Sequence, residues 1–233
     1  IGHTIGGAVS KKLLANYGIT TTAHVTQIHN IKNTNKYTLN EIKANITKNN
    51  VRCADLEVAK QMEDEILKLK QEGNSTGGIV EIIIDGLPLG LGQPVFDKID
   101  GDLAKALMNI GAVKGVEIGV GFECATLTGR QMNDEIYLDG DMIKTRTNNA
   151  GGVLGGMTTG MPLILKIAVK PTPSVSGIQN TVNLKDMQPT QIEIEGRHDP
   201  CICPRVTTVA EAACNMTIAD HMIRAGFIQP DKI

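Results

Sequence analysis

Residues 193–205 read EIEGRHDPCICPR and place Arg197, His198, Asp199, Cys201, Cys203 and Arg205 within nine positions. Three chemistries fit that composition. His198, Cys201 and Cys203 are zinc-type ligands, but the Cys-x-Cys spacing would have to close a tight tetrahedron with a fourth ligand from Cys214 or elsewhere. A cysteine nucleophile with His198 as its base is a second arrangement. In the third, Arg197 binds an anion in a cleft and the neighbouring Asp199 stays ionised as a base, while His198 and the cysteines pack. An Arg–Asp pair that merely fixes a turn uses the same residues.

Two other stretches carry chemistry-bearing groups. KPTPS, residues 170–174, sets the Lys170 ammonium and the Thr172 and Ser174 hydroxyls on a frame stiffened by Pro171 and Pro173. Preorganised donors of this kind suit a phosphate, and a proline-rich exit from a strand is the plain alternative. NNAGGVLGGMTTG, residues 148–160, nearly fits a dinucleotide fingerprint at Ala150, Gly152 and Gly155. That fingerprint needs a helix after it and an acid about 20 residues on. A strand pattern follows instead, and the corresponding region is VKPTP, so the dinucleotide reading fails. Glycines in such number either turn the chain or let its backbone lie against a flat ligand.

The elements that must position these groups alternate along the chain. TIGGAVSKKLLANYG reads as an amphipathic helix and ITTTAHVTQI as a strand. CADLEVAKQMEDEILKLKQEG is a surface helix started by Asp55 and ended by Gly73. GGIVEIIID is a strand too apolar to leave one face in water, followed by the loop GLPLGLGQP and the helix FDKIDGDLAKALMNIG. AVKGVEIGVGFECATL reads as a strand with glycine kinks, PLILKIAVK as a strand, PTPSVSG as a rigid turn and QIEIE as a short strand. TVAEAACNMTIADHMIRAG is the final helix. SKKLLANYGI and LAKALMNIGAV, each a helix closing on Asn-x-Gly before a strand, hint at a duplicated unit. The pattern predicts an α+β fold.

Composition narrows the function. With 41% hydrophobic residues in 233, a packed core is expected and general disorder is not. A net charge of −2 gives no pull toward nucleic acid or an anionic membrane, and 3% aromatics leave few platforms for stacking bases. Five scattered cysteines read as reduced, cytosolic usage. The most apolar run, MPLILKIAV, is interrupted by Lys166 and too short to span a bilayer, and no secretory pattern opens the chain. The start at Ile1, inside a helical pattern, suggests a beginning within a longer protein.

Taken together, GGIVEIIIDGLPLGLGQPVFDKIDGDLAKALMNIGAVKGVEIGVGFE, TRTNNAGGVLGG, KPTPS, GRHDPCICPR and ADHMIRAG resemble chorismate synthase, in that family's order and spacing and over nearly all 233 residues. The resemblance implies a β-α-β sandwich with internal pseudo-duplication, residues 1–233 forming a single domain, the C-terminal portion of a longer chain. It implies 1,4-elimination of phosphate from 5-enolpyruvylshikimate 3-phosphate to give chorismate, with reduced FMN, in a cytoplasmic homotetramer without nucleic-acid or membrane partners. By position, Lys170, Pro171, Thr172, Pro173 and Ser174 would contact FMN, with Lys170 at its phosphate. Gly155 would let the loop approach the flavin, and Arg197 would sit by flavin and substrate. Asp199 would act as a base paired with the flavin N5 proton. Gly111 and Ala112 match a segment that reaches flavin from a neighbouring subunit. On this view residues 193–205 are an anion- and flavin-facing turn with core cysteines, and no metal site.

The family's N-terminal motifs, a Ser-His-Gly stretch, substrate-binding arginines, a second histidine and an Arg-Ser-Ser flavin loop, have no counterpart in these 233 residues, and Ile1 corresponds to a point just after that loop. Val120 stands where the family usually has aspartate, and Cys203 where valine is commoner. The 233 residues alone are therefore expected to be inactive. The competing readings are an inactive fragment or paralogue that only binds flavin or assembles, and a small zinc protein built on His198, Cys201 and Cys203.

Overall fold

The computed structural model describes residues 1–196 and 198–229. The chain opens with α1 (Gly2–Ala15), β1 (Thr20–Ile28), β2 (Ile31–Lys32), α2 (Leu39–Asn45), α3 (Leu56–Gln71) and β3 (Gly78–Asp85). It continues with α4 (Ile99–Met108), β4 (Val113–Ile118), a 3-10 turn (Gly121–Thr126) and α5 (Gly129–Met132). Three hairpins and a long strand follow: β5 (Ile136–Asp139) with β6 (Met142–Thr145), β7 (Val153–Leu154) with β8 (Met157–Thr158), β9 (Leu163–Val169), and β10 (Ile178–Asn183) with β11 (Gln188–Glu193). The final helix is α6 (Cys203–Arg224).

A five-stranded antiparallel sheet, order β2-β1-β3-β9-β4, organises the fold. Period-2 alternation sends Val80, Ile82 and Ile84 of β3 and Leu163, Leu165 and Ile167 of β9 into one core, all at 0% exposure. Helix α6 lies against that face, packing on β1, β3, α1 and α4. It is buried nearly all round, so its apolar residues mark no single face, and the sequence pattern starts it at Thr208 rather than at Cys203. The helical layer and one β layer of the expected sandwich are thus both present, and the α+β class stands.

The duplicated unit is real in three dimensions. Each copy of the repeated motif is a helix leading into a strand, α1 into β1 and α4 into β4, and both helices pack on α6. The two strands flank the central antiparallel pair β3–β9. Smaller departures have local causes. The strand expected through residues 112–127 stops at Ile118, because Gly119 and Gly121 take positive φ and open a 3-10 turn. The helix expected from Phe96 begins at Ile99, with Phe96 92% exposed. The strand expected at 191–195 is β11 and ends at Glu193. Helix α3 starts as expected: the Asp55 carboxylate accepts from the Glu57 and Val58 amides, and from Asn35 and Tyr37 besides.

Candidate functional site

The segments 73–76, 172–176 and 198–200 are sewn together by backbone and hydroxyl bonds. Thr76 N donates to Pro200 O at 2.8 Å, Ser75 Oγ to Thr172 O at 2.6 Å, and Ser176 N to Gly73 O at 2.9 Å. Between them lies a cavity of about 460 Å³ lined by Lys70, Asn74, Ser174, Ser176, His198 and Asp199, among others. So the structure brings part of KPTPS and the Asp199 turn, 25 residues apart, into one pocket.

Two polar atoms at this place are buried with no partner among the described residues: Thr172 Oγ1 and His198 Nε2. A buried hydroxyl or ring nitrogen without a hydrogen bond is costly, and proteins retain one mainly where something else completes it. Asp199 pairs with Arg205, Nη1 to Oδ2 at 2.5 Å, with the carboxylate side chain 38% exposed. Its expected companion Arg197 lies outside the described residues, so the cation seen holding Asp199 is the other arginine of the motif.

The cysteines of the turn are packed, with Cys203 at 0% and Cys201 at 9% exposure. A hydrogen bond from Cys203 lowers the Cys201 thiol below its ordinary value; the same bond and burial raise Cys203 well above it. Cys214 is pushed up to about 12 by burial. Among the described residues no three His, Cys, Asp or Glu side chains converge as metal ligands would. His198 and the two cysteines therefore do not assemble the zinc arrangement weighed above.

The remaining predicted residues fall into two places. Lys170 N donates to Ala112 O at 2.9 Å, so the Gly111–Ala112 segment abuts the start of KPTPS within one chain. Ala112 holds φ at 74°, a conformation costing a non-glycine residue roughly 1 kcal/mol or more, and such strain concentrates at functional sites. Pro171 and Pro173 are exposed between them. Gly155 sits elsewhere, at the tip of the β7–β8 hairpin with φ 60° and open space where a Cβ would project. Its loop is bonded to the Leu163 end of β9, through Ile164 N to Gly151 O, whereas Lys170 follows the Val169 end. Seven residues at about 3.3 Å each put those ends roughly 20 Å apart. Glycines 151 and 152 are needed by the fold itself, since a Cβ on either would strike Gly119 or the Pro162–Leu163 backbone.

Sequence reading missed Lys70, Asn74 and Ser176, which belong to a helix end and a turn that show no functional pattern. It also missed Asp134. That carboxylate accepts from Thr147 Oγ1 at 2.6 Å, Asn149 N at 2.7 Å and Ala150 N at 2.9 Å, and so fixes the entry to the glycine loop. Burial works to raise its pKa, but these bonds outweigh that and hold it below the usual carboxylate value.

The sequence profile of chorismate synthase matches residues 1–223. The chain belongs to the chorismate synthase family. The chorismate synthase of Methanosphaera stadtmanae is 76% identical over 233 residues, covering 100% of this chain and 64% of that one. That of Methanothermobacter thermautotrophicus is 56% identical, with 100% and 62% covered. A crystal structure of chorismate synthase superposes with a TM-score of 0.79 at 30% identity, covering 94% of this chain and 62% of that chain. The chain therefore spans less than two thirds of the length of these relatives. Neither the fold nor these likenesses bear out the expectation that the 233 residues alone are inactive. Among the described residues no helix is long and apolar enough to cross a membrane.

Proposed function

We propose that this chain supplies the flavin- and proton-handling part of a chorismate synthase that eliminates phosphate from 5-enolpyruvylshikimate 3-phosphate with reduced FMN. The observation that carries the reading is a cavity lined by Ser174, His198 and Asp199, where His198 Nε2 is buried with no partner among the described residues, as is Oγ1 of Thr172 in the adjoining KPTPS segment. These groups fit a flavin mononucleotide, whose ring and phosphate call for several convergent donors.

In this proposal Lys170 meets the FMN phosphate as an exposed ammonium, and Thr172 and Ser174 donate hydroxyls on a frame that Pro171 and Pro173 keep rigid. When bound, reduced flavin supplies transient electron density to an elimination that has no net redox change. Asp199, held by Arg205, is an acceptor-only carboxylate placed to take a proton at its free oxygen, with Arg197 beside flavin and substrate. Cationic groups at this place favour the charge that builds on a departing phosphate.

Gly155 lies at the other end of β9, so a flavin touching Lys170 of the same chain does not easily reach it; Gly111 and Ala112 sit beside Lys170. A site assembled between copies reconciles these positions, with Gly111, Ala112 or Gly155 contributed across an interface. The hairpins support assembly, since β5–β6 exposes Ile136 and Leu138 at 70% and 73%, and β10–β11 exposes Leu184 and Met187 at 79% and 75%. A homotetramer in the cytoplasm, with residues 1–233 as one domain, completes the reading.

Asp199→Asn tests it. FMN affinity should be retained while anaerobic turnover falls at least tenfold, about 1.4 kcal/mol of barrier. Unchanged turnover removes Asp199 from the mechanism, and flavin binding without phosphate release by the unaltered protein marks a binding remnant instead.

A further inference from the structure

The face of the sheet turned away from α6 carries a row of charge that the flavin reading does not use. By strand register His24 of β1 stands opposite Glu81 of β3, Glu81 opposite Lys166 of β9, and Lys166 opposite Glu117 of β4. The row is flanked by Ile83 and Ile164 on one side and by Ile79, Ala168 and Gly115 on the other. It forms the floor of a trough of about 690 Å³, walled by Lys32, Asn33, Asn35, Lys36 and Tyr37 near β1 and by Phe122 beyond β4. At strand spacings of about 4.8 Å the row is roughly 14 Å long.

Charges on such a floor are expected to pair along the row, and only one pair does. His24 Nε2 lies 3.0 Å from Glu81 Oε1. The His24 side chain, which lines the trough, is 4% exposed, and its Nδ1 is buried with no partner among the described residues. Lys166 has no ion-pair partner among the described residues, although it stands between two glutamates. Glu117 accepts only from the Phe122 amide, at 3.3 Å, and no cation stands within 4.0 Å of it among the described residues. Thus Lys166 and Glu117, on adjacent strands, partly buried and unpaired among the described residues, face a concave space that Lys32 and Lys36 also line, with an exposed aromatic ring at its end. Partly desolvated, unpaired charges of opposite sign are costly unless a ligand completes both.

We propose that this trough binds a small zwitterion with an apolar body, an α-amino acid bearing a ring. Its carboxylate rests on Lys166 and its ammonium on Glu117, whose spacing of one strand matches the short reach between the two ends. Its side chain covers Ile83 and Ile164 and meets Phe122, which is 79% exposed. The remaining volume holds water, one molecule of which satisfies His24 Nδ1. The site lies on the opposite face of the sheet from the helical layer, and the proposal does not depend on the flavin reading.

Calorimetric titration of the purified intact protein with L-phenylalanine tests it. Saturable one-to-one binding is expected. Phenylacetate, which lacks the ammonium, and phenethylamine, which lacks the carboxylate, should each bind at least tenfold more weakly. Lys166→Met and Glu117→Gln, which keep side-chain volume, should each weaken L-phenylalanine at least tenfold. Independently of any variant, L-phenylalanine should protect Lys166 from amine acylation followed by mass spectrometry. Absence of saturable binding, equal affinity for the three probes, or unaltered binding in both variants overturns the proposal. So does a Lys166 already shielded in the ligand-free protein, which would mean that a second copy of the chain covers this face.

Discussion

Thr172→Val separates a ligand-holding hydroxyl from a structural one, because the two roles predict effects of opposite sign. The side chains are close in shape, and Thr172 Oγ1 is buried with no partner among the described residues. In the flavin-free protein that hydroxyl therefore contributes only a desolvation cost, of which about 1 kcal/mol is recoverable when a methyl replaces it. For a chain of this size that raises Tm by roughly 2–4 °C. In the flavin complex the same hydroxyl makes a hydrogen bond worth about 1 kcal/mol, so FMN affinity should fall roughly fivefold. Thermal melts of the flavin-free protein and a fluorescence titration with FMN read the two effects separately. A lower Tm with unchanged FMN affinity would refute the reasoning, since Thr172 would then be bonded within the fold rather than kept for a ligand.

Three further outcomes follow from individual contacts. Lys170→Ala should weaken FMN affinity before it affects turnover at saturating flavin, and an unaltered titration would remove Lys170 from the phosphate. Asp134→Ala leaves the Asn149 and Ala150 amides without their acceptor and should cost about 1–3 kcal/mol, read as a drop in the urea midpoint. Because the folded pKa of Asp134 is depressed, its contribution is present above the unfolded value near 4 and is lost as pH falls through the lower folded value. The stability gap between the unaltered protein and Asp134→Ala should therefore narrow below about pH 4, and a constant gap would contradict the ionised role. Asp55→Ala removes the cap of α3 and the acceptor for Asn35 and Tyr37 together, and a loss of about 2 kcal/mol is expected by chemical denaturation.

What the sequence disclosed depended on the range of the interactions involved. Strands β3 and β9 and helix α3 were legible because apolar period and caps are written locally, and the paired α1–β1 and α4–β4 units were legible as an echo of the same short motif. Helix α2 was missed although Thr38 and Glu41 form a capping box, since its seven residues bury only Ile42. Strand β10 was missed and β11 read only at its end, since the hairpin β10–β11 buries neither face. For the site, residue types marked KPTPS and the Arg–His–Asp turn, but only the fold shows that Thr172 Oγ1 and His198 Nε2 have no partner among the described residues. The Asp134 clasp on the glycine loop and the distance of Gly155 from Lys170 depend on contacts between separate segments. No local pattern encodes them.

Anaerobic assay of phosphate release from 5-enolpyruvylshikimate 3-phosphate, with and without reduced FMN, tests the central claim most directly. The account predicts phosphate and chorismate in equal amounts, only when reduced flavin is present, and sharply less of both in Asp199→Asn. Release that is independent of flavin, or flavin binding with no release at all, would contradict it.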